Sequence, residues 1–76
     1  MKDFSIGTRG RIINECFITS EVEETADGSL TANEHWREAG EFVVIGVKEE
    51  FILVVFDGEA YEWWIDSYEF ENVEII

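Results

Sequence analysis

Two short runs of β-branched and aromatic residues in the second half of the chain restrict the fold more than any other feature. EFVVIGV occupies residues 41–47 and FILVVF occupies residues 51–56. Each run is short and rich in the residue types that favour strands. Three residues separate the runs, and Asp57-Gly58, a strong turn signal, follows the second. The pattern predicts an antiparallel hairpin that continues into a third strand.

Further strands are predicted on both sides of this hairpin. GTRGRIIN at 7–14 opens with a glycine turn, AYEWWID occupies 60–66, and NVEII ends the chain with a short alternating strand. The residues before that last strand, 67–72, favour a turn or one turn of 3₁₀ helix. Five short strands, no proline and no long helical segment indicate an all-β fold in a single domain, residues 1–76.

The segment at 15–40 differs from the rest of the chain. Its beginning, CFITSEVEE, is compatible with an extension of the first strand, and an Asp-Gly pair then marks a turn. Thr31 and Glu34 have the spacing of a capping box, in which two side chains satisfy free amides at the start of a helix. We therefore expect a long first loop that carries one short helix at 32–39.

Two adjacent tryptophans in YEWWID raise the question of which one is buried. Neighbouring residues of a strand point to opposite faces, and one alternating set is wholly apolar: Tyr61, Trp63 and Ile65. That set is the predicted core face, which leaves Trp64 on the other face with Glu62 and Asp66. Either Trp64 packs beneath segment 15–40, against Trp36 of the expected helix, or it is an anchor for a partner, a role in which tryptophan is enriched.

Five stretches of the chain together resemble a known family of folds: IGTRGRII, AGEFVVIGV, FILVVFDG, YEWWID and EFENVEII. They are similar to the SH3-like small β-barrels, which include KOW and Tudor-type domains. The resemblance implies a five-stranded barrel with a long first loop (15–40), a three-strand meander, a 3₁₀ turn and a short closing strand. KOW-type binders of nucleic acid are usually basic, whereas this chain is acidic, so the resemblance implies a fold and leaves the ligand open.

The acidity of the chain is its most unusual property. Eighteen Asp and Glu residues stand against five Lys and Arg residues, which gives a net charge of −13, and no base occurs from Glu49 to Ile76. Such a charge repels nucleic acid and anionic membranes and attracts basic protein surfaces. Acidic side chains also keep small proteins soluble, and this simpler explanation stays open.

The sequence contains little that supports catalysis. It has one cysteine, Cys16, and one histidine, His35, with no nucleophile motif around either and no glycine-rich phosphate loop. We expect Cys16 to be a small buried apolar residue and His35 to be a packing or surface residue. The resulting expectation is a protein that is not an enzyme and uses no cofactor.

Cysteine content and hydropathy bear on the compartment. A lone cysteine cannot form an internal disulfide, which fits a reducing environment. The sequence has no run of about 18 apolar residues, the length that predicts a membrane span. Its first residues, MKDFSIGTRGRI, lack the apolar segment of a signal peptide. These features predict a cytoplasmic protein.

Residues 23–34, EETADGSLTANE, match the second half of a calcium-binding EF-hand loop. Asp27 and Glu34 have the spacing of two calcium ligands. Glu23 and Thr25, however, replace the residues that are usual in the first half of such a loop. A hairpin turn followed by a capping box accounts for the same residues without a metal, and we therefore expect no metal site.

Charge and aromatic content predict a binding protein, a monomer or a small homo-oligomer, that occupies the basic surface of a nucleic-acid-binding protein. We expect it to bind neither nucleic acid nor a membrane directly. Small acidic proteins of this kind resemble phage-encoded inhibitors of host and defence proteins, including nucleic-acid mimics. The residues expected to contact the partner lie near the C-terminus: Glu59, Glu62, Trp64, Asp66, Glu69 and Glu71.

Two alternatives to this function stay open. In the first, an SH3-like recognition module binds a peptide through its aromatic cluster, and binding depends on the rings more than on the acids. In the second, an assembly subunit pairs an exposed sheet edge with a strand of a partner.

Overall fold

Within residues 4–76 the chain forms seven β-strands and one 3₁₀ helix. We describe the fold from a computed structural model, which gives the backbone of this range and its side chains except those of residues 21–24 and 30–32. The fold is all-β, as the sequence predicts. The elements are β1 (Arg9–Ile12), β2 (Cys16–Glu24), β3 (Leu30–Arg37), β4 (Gly40–Lys48), β5 (Phe51–Phe56), β6 (Glu62–Asp66), the 3₁₀ helix (Ser67–Asn72) and β7 (Val73–Ile75).

The strands belong to one antiparallel sheet in the order β3-β2-β6-β5-β4-β1-β7. Strands β4, β5 and β6 form the predicted meander, and β1 joins it beside β4. The five-stranded closed barrel expected from the sequence does not form. Segment 15–40 supplies two further strands, β2 and β3, and the sheet stays open with β3 and β7 at its edges.

The expected helix at 32–39 is wrong, because most of this segment belongs to strand β3. β3 pairs with β2 in antiparallel register and places Trp36 opposite Phe17. A helix of two turns is marginal in water and needs tertiary packing to persist. As a strand, the segment pairs its backbone with β2 and packs Trp36 against Phe17, so long-range pairing overrides the local capping signal.

Other predicted elements coincide with the observed ones. β5 has the predicted bounds, 51–56, and the 3₁₀ helix has the predicted bounds, 67–72. Turns also form at both Asp-Gly pairs, where Gly28 and Gly58 adopt φ angles of 87° and 79°. β1 is shorter than the strand predicted there. Within residues 4–76, no helix is long and apolar enough to cross a membrane.

One face of the sheet carries the hydrophobic core. Along β5, Ile52, Val54 and Phe56 are buried, whereas the residues between them are only partly covered. The same alternation in β1, β2, β4, β6 and β7, together with Phe4 from the segment before β1, produces one cluster of buried apolar side chains: Phe4, Ile12, Cys16, Ile18, Phe42, Val44, Ile52, Val54, Phe56, Ile65 and Val73. Side chains from β2 and from β7 meet in this cluster, so the sheet curls around its core.

Candidate functional site

Strand β6 places its two tryptophans on opposite faces of the sheet. Ile65 is fully buried and Trp63 packs against the core, on the face where the sequence predicts them. His35 meets the Trp63 ring edge to face, with centroids 5.0 Å apart. Tyr61 precedes the strand and is 74% exposed, so its predicted place in the core is wrong. Trp64 lies on the other face, where it is half-buried.

Backbone pairing determines which side chains share the outer face with Trp64. Trp64 lies opposite Leu53 of β5 on one side and opposite Thr19 of β2 on the other. Residues directly opposite in an antiparallel pair point to the same face, as do residues two apart along a strand. We name the resulting surface the acidic-aromatic face and define it by seven side chains: Phe17, Glu34, Trp36, Phe51, Glu62, Trp64 and Asp66.

Four aromatic rings form two pairs on the acidic-aromatic face. The ring centroids of Phe17 and Trp36 are 3.8 Å apart, and Phe51 meets Trp64 edge to face at 6.3 Å. The aromatic neighbour of Trp64 is thus Phe51, and the alternative in which Trp64 packs beneath segment 15–40 against Trp36 is wrong. The β2-β3 hairpin extends the sheet sideways and does not cover it. Trp36 is 59% exposed and Phe51 is 39% exposed, so both pairs are accessible to a partner.

The carboxylates of the acidic-aromatic face are not neutralised by bases within the described residues. Glu34, Glu62 and Asp66 form no ion pair there. Asp66 caps the 3₁₀ helix by accepting a hydrogen bond from the amide of Tyr68 at 3.4 Å. Partial burial, followed by the charge of Asp66, raises the pKa of Tyr68, and Glu34 contributes to the same shift. Carboxylates from β3 and β6 therefore concentrate negative charge at one place.

Bases are paired with acids toward the opposite end of the sheet. Arg9 of β1 donates to Asp57 at 2.5 Å. Arg11, two residues further along β1, is paired with Glu74 of β7. Lys48, at the end of β4, lies at the margin of the acidic-aromatic face. Charges thus offset each other around β1 and β7, whereas the surface formed by β2, β3 and β6 stays negative.

Arg37 fastens the end of β3 to the connection between β5 and β6. Its guanidinium contacts both carboxylate oxygens of Glu59, with an Nη1–Oε1 distance of 3.0 Å, and donates from Nε to the carbonyl of Ala39 at 3.1 Å. The same group lies over the ring of Phe56, 3.8 Å from the centroid, in a cation–π contact. Hydrogen bonding to Arg37 lowers the pKa of Glu59. Glu59 is therefore engaged within the protein.

Glu69 is also engaged within the protein, because it is only 7% exposed. Its carboxylate accepts hydrogen bonds from the amide of Phe17 at 3.3 Å and from the side chain of Asn72 at 2.9 Å. These bonds hold the 3₁₀ helix against the start of β2. Cys16 is buried beside it, as predicted, and burial, followed by the charge of Glu69, raises the pKa of Cys16 to about 12. The thiol is therefore protonated at neutral pH.

The six predicted contact residues do not form one surface. Glu62, Trp64 and Asp66 share the acidic-aromatic face, and Glu71 is exposed on the 3₁₀ helix. The other two, as described above, serve contacts inside the protein.

Sequence reasoning missed four members of the acidic-aromatic face: Phe17, Glu34, Trp36 and Phe51. Three of them lie in segment 15–40, which was expected to be a loop with a helix. The sequence did contain a signal for one of them. If CFITS is a strand, Cys16 and Ile18 point to one face and Phe17 points to the other.

The segment that resembles half of an EF-hand loop contains a turn whose acid is already hydrogen-bonded. The Thr25 hydroxyl and the Ser29 amide donate to the Asp27 carboxylate, the amide at 3.0 Å, and these bonds lower the pKa of Asp27 to about 2. The side chain of Glu23 lies outside the described residues. Among the side chains that are described, no group of three or more His, Cys, Asp and Glu residues is arranged to hold a metal ion.

The Arg37–Glu59 pair predicts a pH-dependent contribution to stability. Because the pKa of Glu59 lies below its ordinary value of 4.5, the contribution is complete above that pH and is lost as the pH falls through the folded-state pKa. We expect Glu59→Gln to lower the free energy of unfolding at neutral pH by about 1 kcal/mol, the upper end for partly exposed pairs. Urea denaturation should show this difference shrinking as the pH falls below 4.5. A constant difference would contradict the role of the pair.

Comparisons with models of known protein families, with curated proteins and with solved structures give no match for this chain. The likeness to SH3-like barrels and to phage-encoded proteins therefore stays a prediction from the sequence. The function has to be inferred from the side chains of the acidic-aromatic face.

Proposed function

We propose that this protein is a non-enzymatic binding protein whose acidic-aromatic face occupies a basic surface of a partner protein, as an inhibitor or a nucleic-acid mimic. The observation that carries the proposal is the position of Trp64, half-buried beside carboxylates that have no ion pair within the described residues. Protein interfaces combine aromatic anchors with a polar rim. Here Trp36 and Trp64 supply anchors, while Glu34, Glu62 and Asp66 supply the rim.

The charge of the chain supports a basic partner. A net charge of −13 accelerates encounters with a positive surface and opposes the approach of nucleic acid, anionic membranes or a second copy. Proteins that bind nucleic acid present patches of clustered Lys and Arg residues. A nucleic-acid-binding protein is therefore the class of partner that fits best, and a phage-encoded inhibitor is one form that such a binding protein takes.

The test is the retention of lysate proteins on the immobilised chain, followed by elution along a salt gradient and identification by mass spectrometry. Between about 0.01 M and about 0.1 M salt, the Debye length falls from about 30 Å to about 10 Å. Basic nucleic-acid-binding proteins should therefore elute steeply as salt rises, and excess DNA should displace them. Partners that stay bound at high salt and resist DNA would contradict the electrostatic mechanism.

Two triple variants of equal net charge make this test specific to the face. One neutralises the acidic-aromatic face: Glu34→Gln, Glu62→Gln and Asp66→Asn. The other neutralises three exposed acids elsewhere: Glu15→Gln, Glu38→Gln and Glu49→Gln. The first should release partners at lower salt than the wild type, whereas the second should elute close to the wild type. Equal behaviour of the two variants would exclude this face as the contact surface.

A second candidate function, a recognition module for a peptide, is favoured by the exposure of the rings. Trp36 is 59% exposed although its ring packs against that of Phe17, so part of its surface is available for a side chain of a ligand. This function predicts binding that tolerates salt and that survives neutralisation of the acids. The triple variant of the face therefore separates the two candidates.

An SH3-like relationship also stays part of the proposal. The chain order of the elements supports it: a first strand, a long excursion, a meander, a 3₁₀ helix and a short closing strand. Strands β7, β1, β4, β5 and β6 are also contiguous in the sheet. The two added strands and the open sheet are departures from a five-stranded barrel.

A further inference from the structure

Strand β3 forms a long edge of the sheet whose outer side is unpaired within the described residues. It has eight residues and is hydrogen-bonded to β2 alone. The other edge, β7, has three residues, and the amide of Ile76 just beyond it bonds to the carbonyl of Arg9 at 3.0 Å. In an edge strand, alternate residues direct both their amide and their carbonyl outward, so β3 presents a row of groups on which another strand can pair.

Three devices that protect such an edge, namely proline, lysine and a bulge, are missing from β3. Natural edge strands are often protected by proline, lysine, a bulge or an inward-pointing charge. The sequence of β3, LTANEHWR, has no proline and no lysine. Its one base, Arg37, is folded back onto Glu59 and Phe56. The register irregularity between Thr19 and Val22 adds its extra residue to β2, so β3 continues without a bulge of its own.

The charge of the chain determines what can pair with this edge. A second copy would bring another net charge of −13 to the same place, so charge repulsion opposes the pairing of two copies. A strand that carries Arg or Lys would meet the opposite charge. β3 is therefore disfavoured for pairing with itself and favourable for pairing with a basic segment.

From this geometry we infer that β3 accepts an extended, Arg- or Lys-bearing segment of a partner protein as an eighth strand of the sheet. This inference rests on the proposed function and specifies how the partner binds. Glu34 and Trp36 are two residues apart on β3 and share the outer face. A base on the added strand would lie opposite Glu34. The next side chain on that face would lie along the ring of Trp36, which Phe17 holds in position at 3.8 Å.

Three synthetic peptides test this inference on the full-length, ¹⁵N-labelled protein. One alternates Arg and Thr, and one alternates Glu and Thr. The third, called the Arg-Pro peptide, repeats Arg-Pro-Pro with the same number of Arg residues, so it keeps the positive charge but lacks the evenly spaced amides of a pairing strand. With the Arg-Thr peptide at ten times its Kd, hydrogen exchange should slow about tenfold at alternate amides of β3. The Glu-Thr and Arg-Pro peptides should leave these amides unchanged.

A pair of variants adds a charge test with an internal control. Glu34→Lys should weaken binding of the Arg-Thr peptide about fivefold, because it places like charges opposite each other across the added strand pair. Glu71→Lys makes the same change in net charge on the 3₁₀ helix and should change the Kd less than twofold.

Two results would overturn the inference. The first is no binding of the Arg-Thr peptide at millimolar concentration. The second is equal binding of the Arg-Thr and Arg-Pro peptides, with resonance shifts on the acidic-aromatic face but no slowed exchange in β3. The second result would leave the proposed function intact, because it shows a basic ligand bound through side chains alone. Failure of the proposed function would appear separately, in the salt elution of the two triple variants.

Discussion

Replacing Phe42 with alanine should lower the free energy of unfolding by about 3–5 kcal/mol, the usual cost of removing a buried phenylalanine ring. Phe42 is fully buried on β4 and its ring lies 5.7 Å from that of Phe56 and 6.4 Å from that of Phe4. Gly10 of β1 approaches this ring so closely that an added Cβ would stand 2.6 Å from its Cζ atom. The ring therefore fills the space between β1 and the rest of the core, and its loss leaves a cavity.

A loss of this size matters because the domain is small. At about 0.05–0.15 kcal/mol per residue, a chain of 76 residues has a total stability of roughly 4–11 kcal/mol. The variant Phe42→Ala should therefore be close to unfolding at room temperature. Urea denaturation followed by tryptophan fluorescence measures the effect.

Phe51→Ala is the matched control for this prediction. Phe51 is also a phenylalanine of the central meander, but it is 39% exposed on the acidic-aromatic face. Its truncation should cost less than half as much as that of Phe42, because water already reaches the ring. Equal losses in the two variants would contradict the assignment of the core to the other face of the sheet.

Replacing Trp64 with alanine should weaken binding of the basic partner by about 30-fold or more. Truncating a central aromatic anchor commonly costs at least about 2 kcal/mol, which corresponds to that change in affinity. Trp64 fits this role because it is half-buried, is held by Phe51, and lies between the carboxylates of Glu62 and Asp66 on the same strand. Titration calorimetry with a partner isolated by salt elution provides the measurement.

Tyr61→Ala controls for the loss of an exposed aromatic residue. Tyr61 is 74% exposed and lies outside the acidic-aromatic face, so its truncation should change the affinity less than twofold. Trp64→Phe keeps a ring in place and should retain most of the stability, which separates a binding defect from unfolding. A Trp64→Ala variant that is folded and binds like the wild type would exclude Trp64 as the anchor.

Local sequence was sufficient to predict an element where the residue pattern of the segment and the turns beside it favour the same structure. FILVVF at 51–56 became β5 with the predicted bounds, because alternation, strand propensity and the turns on either side all favour the same structure. The segment SYEFEN at 67–72 became the predicted 3₁₀ helix, capped by the carboxylate of Asp66. In β6, the apolar alternation correctly separated Ile65 and Trp63 from Trp64.

Local sequence failed where distant residues decide the outcome. Thr31 and Glu34 have the spacing of a helix cap, yet the segment is β3. Pairing with β2 and the contact between the rings of Trp36 and Phe17 outweigh a marginal two-turn helix. Glu69 was expected to meet a partner. It lies instead against the amide of Phe17, 52 positions away in the chain, and no local pattern encodes such a contact.

The sequence by itself determined an all-β chain with a central meander, a strongly negative charge and an apolar phase on β6, because these follow from residue types and short-range alternation. Only the tertiary structure decided that segment 15–40 is a hairpin added to β6, and this placed Phe17, Glu34 and Trp36 beside Trp64. It also decided which acids are ion-paired and which have no ion pair within the described residues. Residues that pair across strands or form ion pairs are separated by long stretches of chain. Which residues meet is therefore decided only when the whole sheet assembles.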